Sequence, residues 1–590
     1  MASTVTPTPT VLCRKCDHTF APLEDSRPLY EPVASEALHS NCVPTDAEVH
    51  RAINLLRAEE DLLAQYDEEL DRIRAMALKL KAERDALQRR IVDRRYSISS
   101  IKRIPVELWH RIFSLVCSAH EYTLAVSRRK VKAPTWRLSL VCHHWREIVV
   151  QLPHLWSSIS VDILNSRDDI GHLLLKYLEH AKDAPLTLRI EDPNGAGTMS
   201  SDSSSSPLER ESYLGEIRSS VFRTLMNQIS RCRILELNFD SRLFSLLHRT
   251  ADSSTSLSFP HLHTFCNNMD MSEGDSLTEY NRWFWDAIKS NAPRLSDVQT
   301  SDQRELHLFP CSQLKFLQVL HVDDVKALFH TITSAPDLRT LIIDDVDDLE
   351  TTTMEAVPVV SSIRDLTIFT AFESAASIAN LFSLLTLPSL KSITLKCDYG
   401  LFGDSTVNNH DWALSFVEML RRSSANSQCS VKKIYLDVAM HASFPDDFLL
   451  NVVQHCPKLT HLELELYPVA DPSSLQTAKL LSELTVSASE GEATTSTYRP
   501  PTVLAPKLKK LLINESVQRL TLEEAETFLR MAESRSGPRV RTKDKGISTL
   551  TKATLSVVTE SPEDVEHCNV VFESRLQALE KAGTKCVIRD

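Results

Sequence analysis

The chain has 590 residues, of which 42% are hydrophobic and 25% are charged, and its formal net charge is −13. This composition can bury a large core, and the acidic balance argues against a protein that coats nucleic acid, because phosphate binding needs a basic surface. No segment approaches the ~18 apolar residues of a membrane span, and the N-terminus lacks the charged and apolar regions of a secretory signal.

Glycine and cysteine argue against two further classes of protein. Only 11 residues are glycine, whereas phosphate-binding loops need clustered glycines so that the backbone can approach the phosphate. We therefore do not expect a nucleotide-binding enzyme. The chain also has neither the H-E-x-x-H nor the G-x-S-x-G motif, and we predict that it is not an enzyme and has no cofactor. The 13 cysteines are odd in number and scattered, which predicts reduced thiols in the cytoplasm or nucleus rather than a disulfide framework.

The first segment, residues 1–44, is rich in Pro, Ser and Thr and is predicted to be a flexible tail. It contains four potential zinc ligands, which are Cys13, Cys16, His39 and Cys42. Four such ligands could hold zinc tetrahedrally. Because the surrounding sequence offers no clear knuckle or hairpin, we predict no bound metal, with a zinc site as the alternative.

The next segment, residues 45–96, predicts one long helix. Thr45 and Glu48 can form a capping box, in which a side-chain oxygen and a carboxylate close the first free N–H groups. One seam position of the following heptad holds Leu56, Leu63, Leu70, Ala77, Arg84 and Ile91, and the other holds Glu59, Tyr66, Ile73, Leu80 and Leu87. The heptad predicts a helix that either self-associates as a coiled coil or docks onto its own chain.

Residues 100–158 contain two amphipathic patterns. Pro105 suits the first turn of a helix, because its missing N–H is not needed there. The first apolar stripe is Leu108, Ile112, Leu115 and Val116, and the second is Leu138, Val141, Cys142, Trp145, Ile148 and Val149. Two helices of this length cannot bury both of their faces alone, so we expect them to pack together and to bind a partner.

These patterns resemble the F-box. The family pattern is roughly L-P-x-E-[IL]-x-x-x-I-[FL], followed in the next helix by V-C-[KR]-x-W. The matching runs here are I-P-V-E-L-W-H-R-I-F, which ends at Phe113, and V-C-H-H-W, which ends at Trp145. The preceding heptad helix resembles what stands before the F-box in many proteins of mushroom-type fungi (basidiomycetes).

The resemblance implies a function. F-box proteins dock on the SKP adaptor of SCF-type cullin–RING ubiquitin ligases and bring a protein substrate to the ubiquitin-loaded enzyme, which is catalysis by proximity. The matching adaptor-binding positions are Ile104, Pro105, Glu107, Leu108, Ile112, Leu115, Val141 and Trp145. Val141 and Trp145 are expected to pack the bundle behind the other six. The implied partners are the adaptor and an unknown protein substrate, and neither nucleic acid nor membrane.

The remainder of the chain repeats a short L-x-x-L-x-L pattern. A connecting segment over 159–213 has a Ser-rich loop, and the repeats over 214–590 begin at Leu262, Leu295, Leu314, Leu338, Ile363, Leu390, Val431, Leu459, Leu481 and Leu508. Their spacing predicts strand–helix units that stack into a solenoid, interrupted by exposed loops over 487–506 and 535–547. The predicted fold class is thus α+β multidomain, with a long coiled-coil helix, a small all-α F-box bundle and an irregular α/β solenoid of repeats. An open α/β sheet is the alternative fold of the repeats.

The repeats resemble the leucine-rich repeats of F-box proteins and would present a surface to a substrate. In each strand the leucines point into the core and the alternate residues point outward. The outward residues predicted to bind a substrate are Ile342, Tyr435, Asp437, Glu463 and Glu465. A leucine-rich-repeat scaffold with a coiled-coil dimeriser and no ligase role is the alternative function.

Overall fold

In a computed structural model, the chain divides into two compact units, residues 1–108 and residues 109–590. The structure describes residues 10–13, 18–20, 43–98 and 100–589, apart from segments 128–129, 164–169, 192–215, 239–256, 269–281, 302, 323–324, 347–357, 372–374, 399–409, 426–429, 441–444, 446, 469–473, 487–502, 517–519, 537–546 and 559–561. Among the residues so described, no helix is both long enough and apolar enough to span a membrane.

The first unit contains a short hairpin and a long helix. Strand β1 (Thr10–Cys13) pairs antiparallel with β2 (His18–Phe20), so a hairpin does form where the sequence offers no clear one. Helix α1 (Asp46–Ser97) runs for 52 residues, as its heptad predicts. The side chain of Cys13, and all of Cys16, His39 and Cys42, lie outside the described residues, so a metal-free N-terminal segment stays a prediction.

The second unit, together with the three residues that precede it, alternates strands and helices. Its helices are α2 (Val106–Ser118), α3 (Pro134–Ser139), α4 (His143–Val150), α5 (Ile170–Ala181), α6 (Glu216–Met226), α7 (Arg282–Asn291), α8 (Val325–Ser334), α9 (Ala375–Leu384), α10 (His410–Ser424), α11 (Phe448–Gln454), α12 (Ser474–Leu484), α13 (Leu522–Ser534), α14 (Pro562–Val571) and α15 (Glu573–Lys581). Short 3-10 helices span Pro153–Leu155, Ile229–Arg231, Gln303–Leu308 and Cys311–Gln313, and one more, Ser100–Arg103, belongs to the first unit. The division between the two units falls inside α2.

The strands of the second unit form one large sheet and one small pair. They are β3 (Leu124–Ser127), β4 (Lys130–Lys132), β5 (Ser158–Asp162), β6 (Leu186–Glu191), β7 (Cys232–Asn238), β8 (Thr264–Asn267), β9 (Asp297–Thr300), β10 (Phe316–Val319), β11 (Thr340–Ile343), β12 (Val359–Val360), β13 (Asp365–Ala371), β14 (Leu385–Thr386), β15 (Ser392–Asp398), β16 (Lys433–Met440), β17 (His461–Pro468), β18 (Lys510–Ser516), β19 (Lys552–Val558) and β20 (Lys585–Arg589). Strands β12 and β14 pair separately from the rest.

The large sheet has sixteen strands in the order β20-β19-β18-β17-β16-β15-β13-β11-β10-β9-β8-β7-β6-β5-β3-β4. Every neighbouring pair is parallel except β3 and β4, which form an antiparallel hairpin at one edge. From β5 to β20 the order follows the chain and never reverses. These strands therefore have no topological switch point of the kind at which doubly wound folds bind nucleotides.

Alternation of side chains explains how this sheet is covered. In β6, Leu186, Leu188 and Ile190 are buried, whereas Thr187 and Arg189 between them are half-buried. The same alternation recurs in β7 to β11 and in β15 to β17. Helices α9 to α12 each pack against the next helix in sequence, and α13 packs against α15. Because strand side chains alternate between two faces, one face of the sheet is buried and the other, which we call the open face, is partly exposed.

The L-x-x-L-x-L pattern places the strands correctly in nine of its ten occurrences. In the fourth repeat, Leu338 precedes β11 while Leu341 and Ile343 lie within it, and all three are fully buried. The repeat that begins at Leu481 is wrong, because residues 481–484 form the last turn of α12. Leu480, Leu481 and Leu484 are buried together on one helical face.

The sheet also begins earlier in the chain than residue 214. Strands β5 and β6, with α5 between them, lie within the segment expected to be a connection. Within 100–158, strands β3 and β4 lie between helices α2 and α3 and join the large sheet through β5. This region is therefore not the all-helical bundle that the sequence predicts.

Candidate interaction surfaces

Three aromatic side chains hold helix α2 against helix α4. The ring centroids of Trp109 and Phe113 are 5.3 Å apart, and those of Trp109 and Trp145 are 4.9 Å apart. Phe113 meets Trp145 edge-on at 5.0 Å. Phe113 is fully buried. Aromatic pairs of this geometry contribute about 0.5–1.5 kcal/mol beyond the area they bury, so the cluster fixes the angle between the two helices.

Hydrogen bonds anchor the ends of these short helices. The Thr135 hydroxyl, at the start of α3, donates to the Leu155 carbonyl at 2.7 Å. The Trp156 indole Nε1 donates to the Val149 carbonyl at 2.9 Å, near the end of α4. Cys142 caps α4, because its Sγ accepts from the Trp145 backbone N–H at 3.4 Å. The helix termini are thus held by buried or partly buried groups.

The outer face of α2 carries exposed apolar residues. Ile112, Leu115 and Val116, which we call the α2 stripe, are 39%, 63% and 42% exposed. Residues three and four apart lie on one helical face, so these side chains form a single surface. Leu140 and Val141, in the link between α3 and α4, are each 59% exposed. Exposed apolar side chains grouped in this way are typical of protein–protein interaction sites.

The eight predicted adaptor-binding residues have different environments. Pro105, Glu107 and Leu108 are exposed, as are Ile112 and Leu115, and Ile104 is half-buried. Trp145 packs within the aromatic cluster, as expected. Val141 does not pack behind the others, because its side chain is largely in solvent. Val116 and Leu140 are exposed apolar residues that the predicted set omits.

A polar network connects the segment after α2 with the open face of the sheet. The Tyr122 hydroxyl donates to Glu236 Oε1 in β7 at 2.8 Å, and Arg189 in β6 donates to Glu236 Oε2 at the same distance. The Arg189 guanidinium also lies 4.9 Å from the centroid of the Tyr122 ring. Burial and the hydrogen bond to Glu236 raise the pKa of Tyr122. The network fixes this segment on β6 and β7.

The open face brings four of the five predicted substrate-binding residues together. Tyr435 and Asp437 in β16 are in register with Glu463 and Glu465 in β17. The Lys396 ammonium in β15 lies 5.1 Å from the centroid of the Tyr435 ring, which favours a cation–π contact. We call Tyr435, Asp437, Glu463 and Glu465 the acidic patch.

The carboxylates of the acidic patch help to raise the pKa of Tyr435. Burial raises that pKa, and so do a hydrogen bond to Glu465 and the charges of Glu465, Asp437 and Glu463. The tyrosine therefore stays neutral and is a hydrogen-bonding group within a carboxylate cluster. Ile342 is not part of the acidic patch. Ile342 and Tyr435 occupy equivalent positions along their strands, but strands β13 and β15 lie between them.

A second charged feature of the sheet was missed at the sequence level. Backbone hydrogen bonds connect the residues that immediately precede successive strands. The Arg339 N–H donates to the Lys315 carbonyl at 2.8 Å, and equivalent bonds continue through Arg364, Lys391 and Lys432. The basic residues at this end of the strands, which we call the basic row, are Lys315, Arg339, Arg364, Lys391, Lys432, Lys433, Lys509, Lys510, Lys552 and Lys585. All are exposed or half-buried.

The signal for the basic row is present in the sequence. Six repeats have a lysine or arginine directly after their first apolar residue, as in Leu338-Arg339 and Leu508-Lys509. Neighbouring parallel strands are about 4.8 Å apart, so the row brings these charges close together. The acidic net charge of the chain obscures this local concentration.

A metal site is not found in the described part of the chain. There, no three His, Cys, Asp or Glu side chains are placed to hold a metal ion. A scan against models of known protein families finds no match for this chain, and a comparison with curated proteins finds none either.

Proposed function

We propose that this protein is the substrate-recognition subunit of an SCF-type cullin–RING ubiquitin ligase. In this proposal, the F-box-like helices bind an SKP-type adaptor and the repeats form a leucine-rich-repeat solenoid that binds the substrate. The chain itself would contribute no catalytic residue and would act in the cytoplasm or nucleus. It would accelerate ubiquitin transfer by holding the substrate near the loaded enzyme.

The α2 stripe is the observation that carries the proposal. Its residues lie in the segment that resembles the F-box, and they remain exposed although the Trp109–Phe113–Trp145 cluster behind them is packed. A rigid helix with an exposed apolar face is suited to a preorganised protein interface, because little side-chain freedom is lost on binding. Burying each aliphatic residue would contribute about 1–3 kcal/mol.

The repeat region supports the substrate-binding half of the proposal. Its strands follow one another in order and leave the open face accessible, which suits an extended protein-binding surface. The acidic patch lies on this face, and the basic row lies at the starts of the strands. A substrate with charges complementary to both would be selected over other proteins, since matched potentials give specificity.

The decisive experiment is adaptor binding by the full chain. We expect the wild-type protein to bind a purified SKP-type adaptor, and Ile112→Asp with Leu115→Asp to weaken binding at least about 30-fold, because two buried aliphatic contacts are replaced by charges. Leu175→Asp is the matched control, since Leu175 is an exposed leucine on α5. Equal adaptor affinity for the stripe variant and the control would contradict the assignment.

The alternative is an interaction scaffold with no ligase role. It is favoured by the accessible open face, which needs no adaptor in order to bind a partner. The same titration separates the two functions. A wild-type chain that binds no adaptor but retains partners at the open face is a scaffold, and the F-box proposal then fails.

A further inference from the structure

Helix α1 exposes both apolar and charged side chains, and the proposed function gives them no role. None of its 52 residues is buried. Its seam leucines, isoleucines and tyrosine are 37–67% exposed. A helix of this length with a heptad of exposed apolar residues is typical of a coiled-coil strand.

We propose that α1 binds α1 of a second copy of this chain as an antiparallel coiled coil, with the two helices crossing midway between Asp71 and Arg72. The heptad has two seam positions. In an antiparallel pair of helices, a residue at one seam position packs against a residue at the other seam position of the partner helix. The facing pairs would be Leu56 with Leu87, Leu63 with Leu80, Leu70 with Ile73, Ala77 with Tyr66, and Arg84 with Glu59. This one alignment matches all five pairs, each of which occurs twice in the dimer.

The two polar seam residues select this orientation and alignment. Glu59 and Arg84 are the only charged residues in the seam between Leu56 and Ile91. In the antiparallel dimer each of them faces its opposite charge. A parallel, in-register dimer would place Glu59 against Glu59 and Arg84 against Arg84, so that like charges would face each other in the seam. Charged seam residues are known determinants of register and partner choice.

The charge of the whole helix favours the same orientation. Residues 46–71 include nine acidic and two basic residues, whereas residues 72–97 include nine basic and three acidic ones. An antiparallel dimer places each acidic half against a basic half, and a parallel dimer places like against like. The helix macrodipole does not explain this division, because its effect is confined to the first and last turns.

The positions that flank the seam agree with the proposal. In the antiparallel alignment the flanking residues on one side meet their equivalents in the partner helix, and they form the pairs Asp46 with Arg95, Glu60 with Lys81, and Asp67 with Arg74. All six side chains are exposed. Arg74 pairs with Asp71 of its own helix, but that ion pair is itself exposed and can be exchanged for one with a partner. Ion pairs at such positions set orientation more than they set stability.

Charge reversal in the seam tests both the dimer and its orientation in the full-length protein. Sedimentation equilibrium gives the dimer dissociation constant. We expect Glu59→Arg alone, and Arg84→Glu alone, to weaken the dimer at least about tenfold, because each creates like-charge pairs. The double variant, Glu59→Arg with Arg84→Glu, restores opposite charges and should return the constant to within about threefold of wild type. Far-UV circular dichroism verifies that the helix is retained.

The control is Glu68→Arg, which reverses a charge on the outward side of α1 and should leave dimerisation unchanged. A wild-type chain that is monomeric at all concentrations overturns the proposal and favours docking of α1 onto its own chain. A dimer that neither single variant weakens, or that the double variant does not restore, overturns the antiparallel alignment. None of these outcomes depends on adaptor binding.

Discussion

Arg535 shows how one buried charge can hold several loops. Its side chain is fully buried, although the sequence places it at the start of an exposed loop. Its guanidinium donates from Nε to the Leu484 carbonyl at 2.6 Å, from Nη1 to the Ala505 carbonyl at 2.9 Å, and from Nη2 to the Leu504 carbonyl at 2.5 Å. Burial lowers the pKa of Arg535 to about 10, so it remains charged at neutral pH.

Removing this guanidinium should destabilise the repeat region. Arg535→Met leaves three buried carbonyls without their donor, and we expect the free energy of unfolding to fall by about 3 kcal/mol. Arg530→Met is the control, because Arg530 makes an exposed ion pair with Glu526 in the same helix and its loss should cost less than about 1 kcal/mol. Denaturant unfolding measures both, and equal losses would contradict the clamp role of Arg535.

His461 reports the potential of the basic row. Burial lowers its pKa, and the charges of Lys510, Lys433 and Lys509 lower it further. Because the folded-state pKa is below the unfolded value, the folded chain binds fewer protons at this site. Its contribution therefore favours unfolding as the pH falls below about 6.5.

Neutralising one lysine of the basic row should raise this pKa. We expect Lys510→Gln to raise the pKa of His461, because a repelling charge is removed from the adjacent strand. A histidine-selective NMR titration measures it, with the resonance assigned through its loss in His461→Gln. Lys581→Gln, an exposed change on α15, should leave the value unchanged. If Lys510→Gln also leaves it unchanged, the basic row does not act as a concentrated charge.

At the scale of the element, the sequence predicts most strands and misplaces one. Leucines at spacings of three and then two place β11 correctly, because Leu338, Leu341 and Ile343 suit a turn followed by a strand with alternate residues buried. The same three-residue spacing, between Leu481 and Leu484, wrongly predicts a strand. A separation of three also matches one face of a helix, and burial of both residues with Leu480 favours α12.

The early strands were missed for a different reason. Strand β6 alternates Leu186, Leu188 and Ile190 with polar residues, which is a strand pattern without the leucine spacing of the later repeats. Pairing of β3 with β5 depends on contacts between residues more than thirty positions apart, and no local pattern encodes them. The amphipathic stripes locate α2 and α4, but only packing shows that Val141 is exposed.

At the scale of the whole molecule, the repeat region separates its charges along the length of its strands. The acidic patch lies within strands β16 and β17, while the basic row lies at the starts of the strands from β10 to β20. Nearby surfaces of opposite sign would orient a substrate whose own charges are divided in the same way, and would repel one of uniform charge. This division of charge is consistent with selective binding by the repeat region.

Reversing the acidic patch should therefore change which proteins bind. We expect Tyr435→Ala with Glu463→Lys and Glu465→Lys to reduce partner recovery at least about tenfold in proximity labelling, because an anchor is lost and matched charges become repulsive. Adaptor binding, which we propose to depend on the α2 stripe, should stay at the wild-type level. Glu563→Lys with Glu566→Lys on α14 is the control, since it makes the same charge change on an exposed helix. If the patch variant retains every partner that this control retains, substrates bind at another surface and the open-face proposal is wrong.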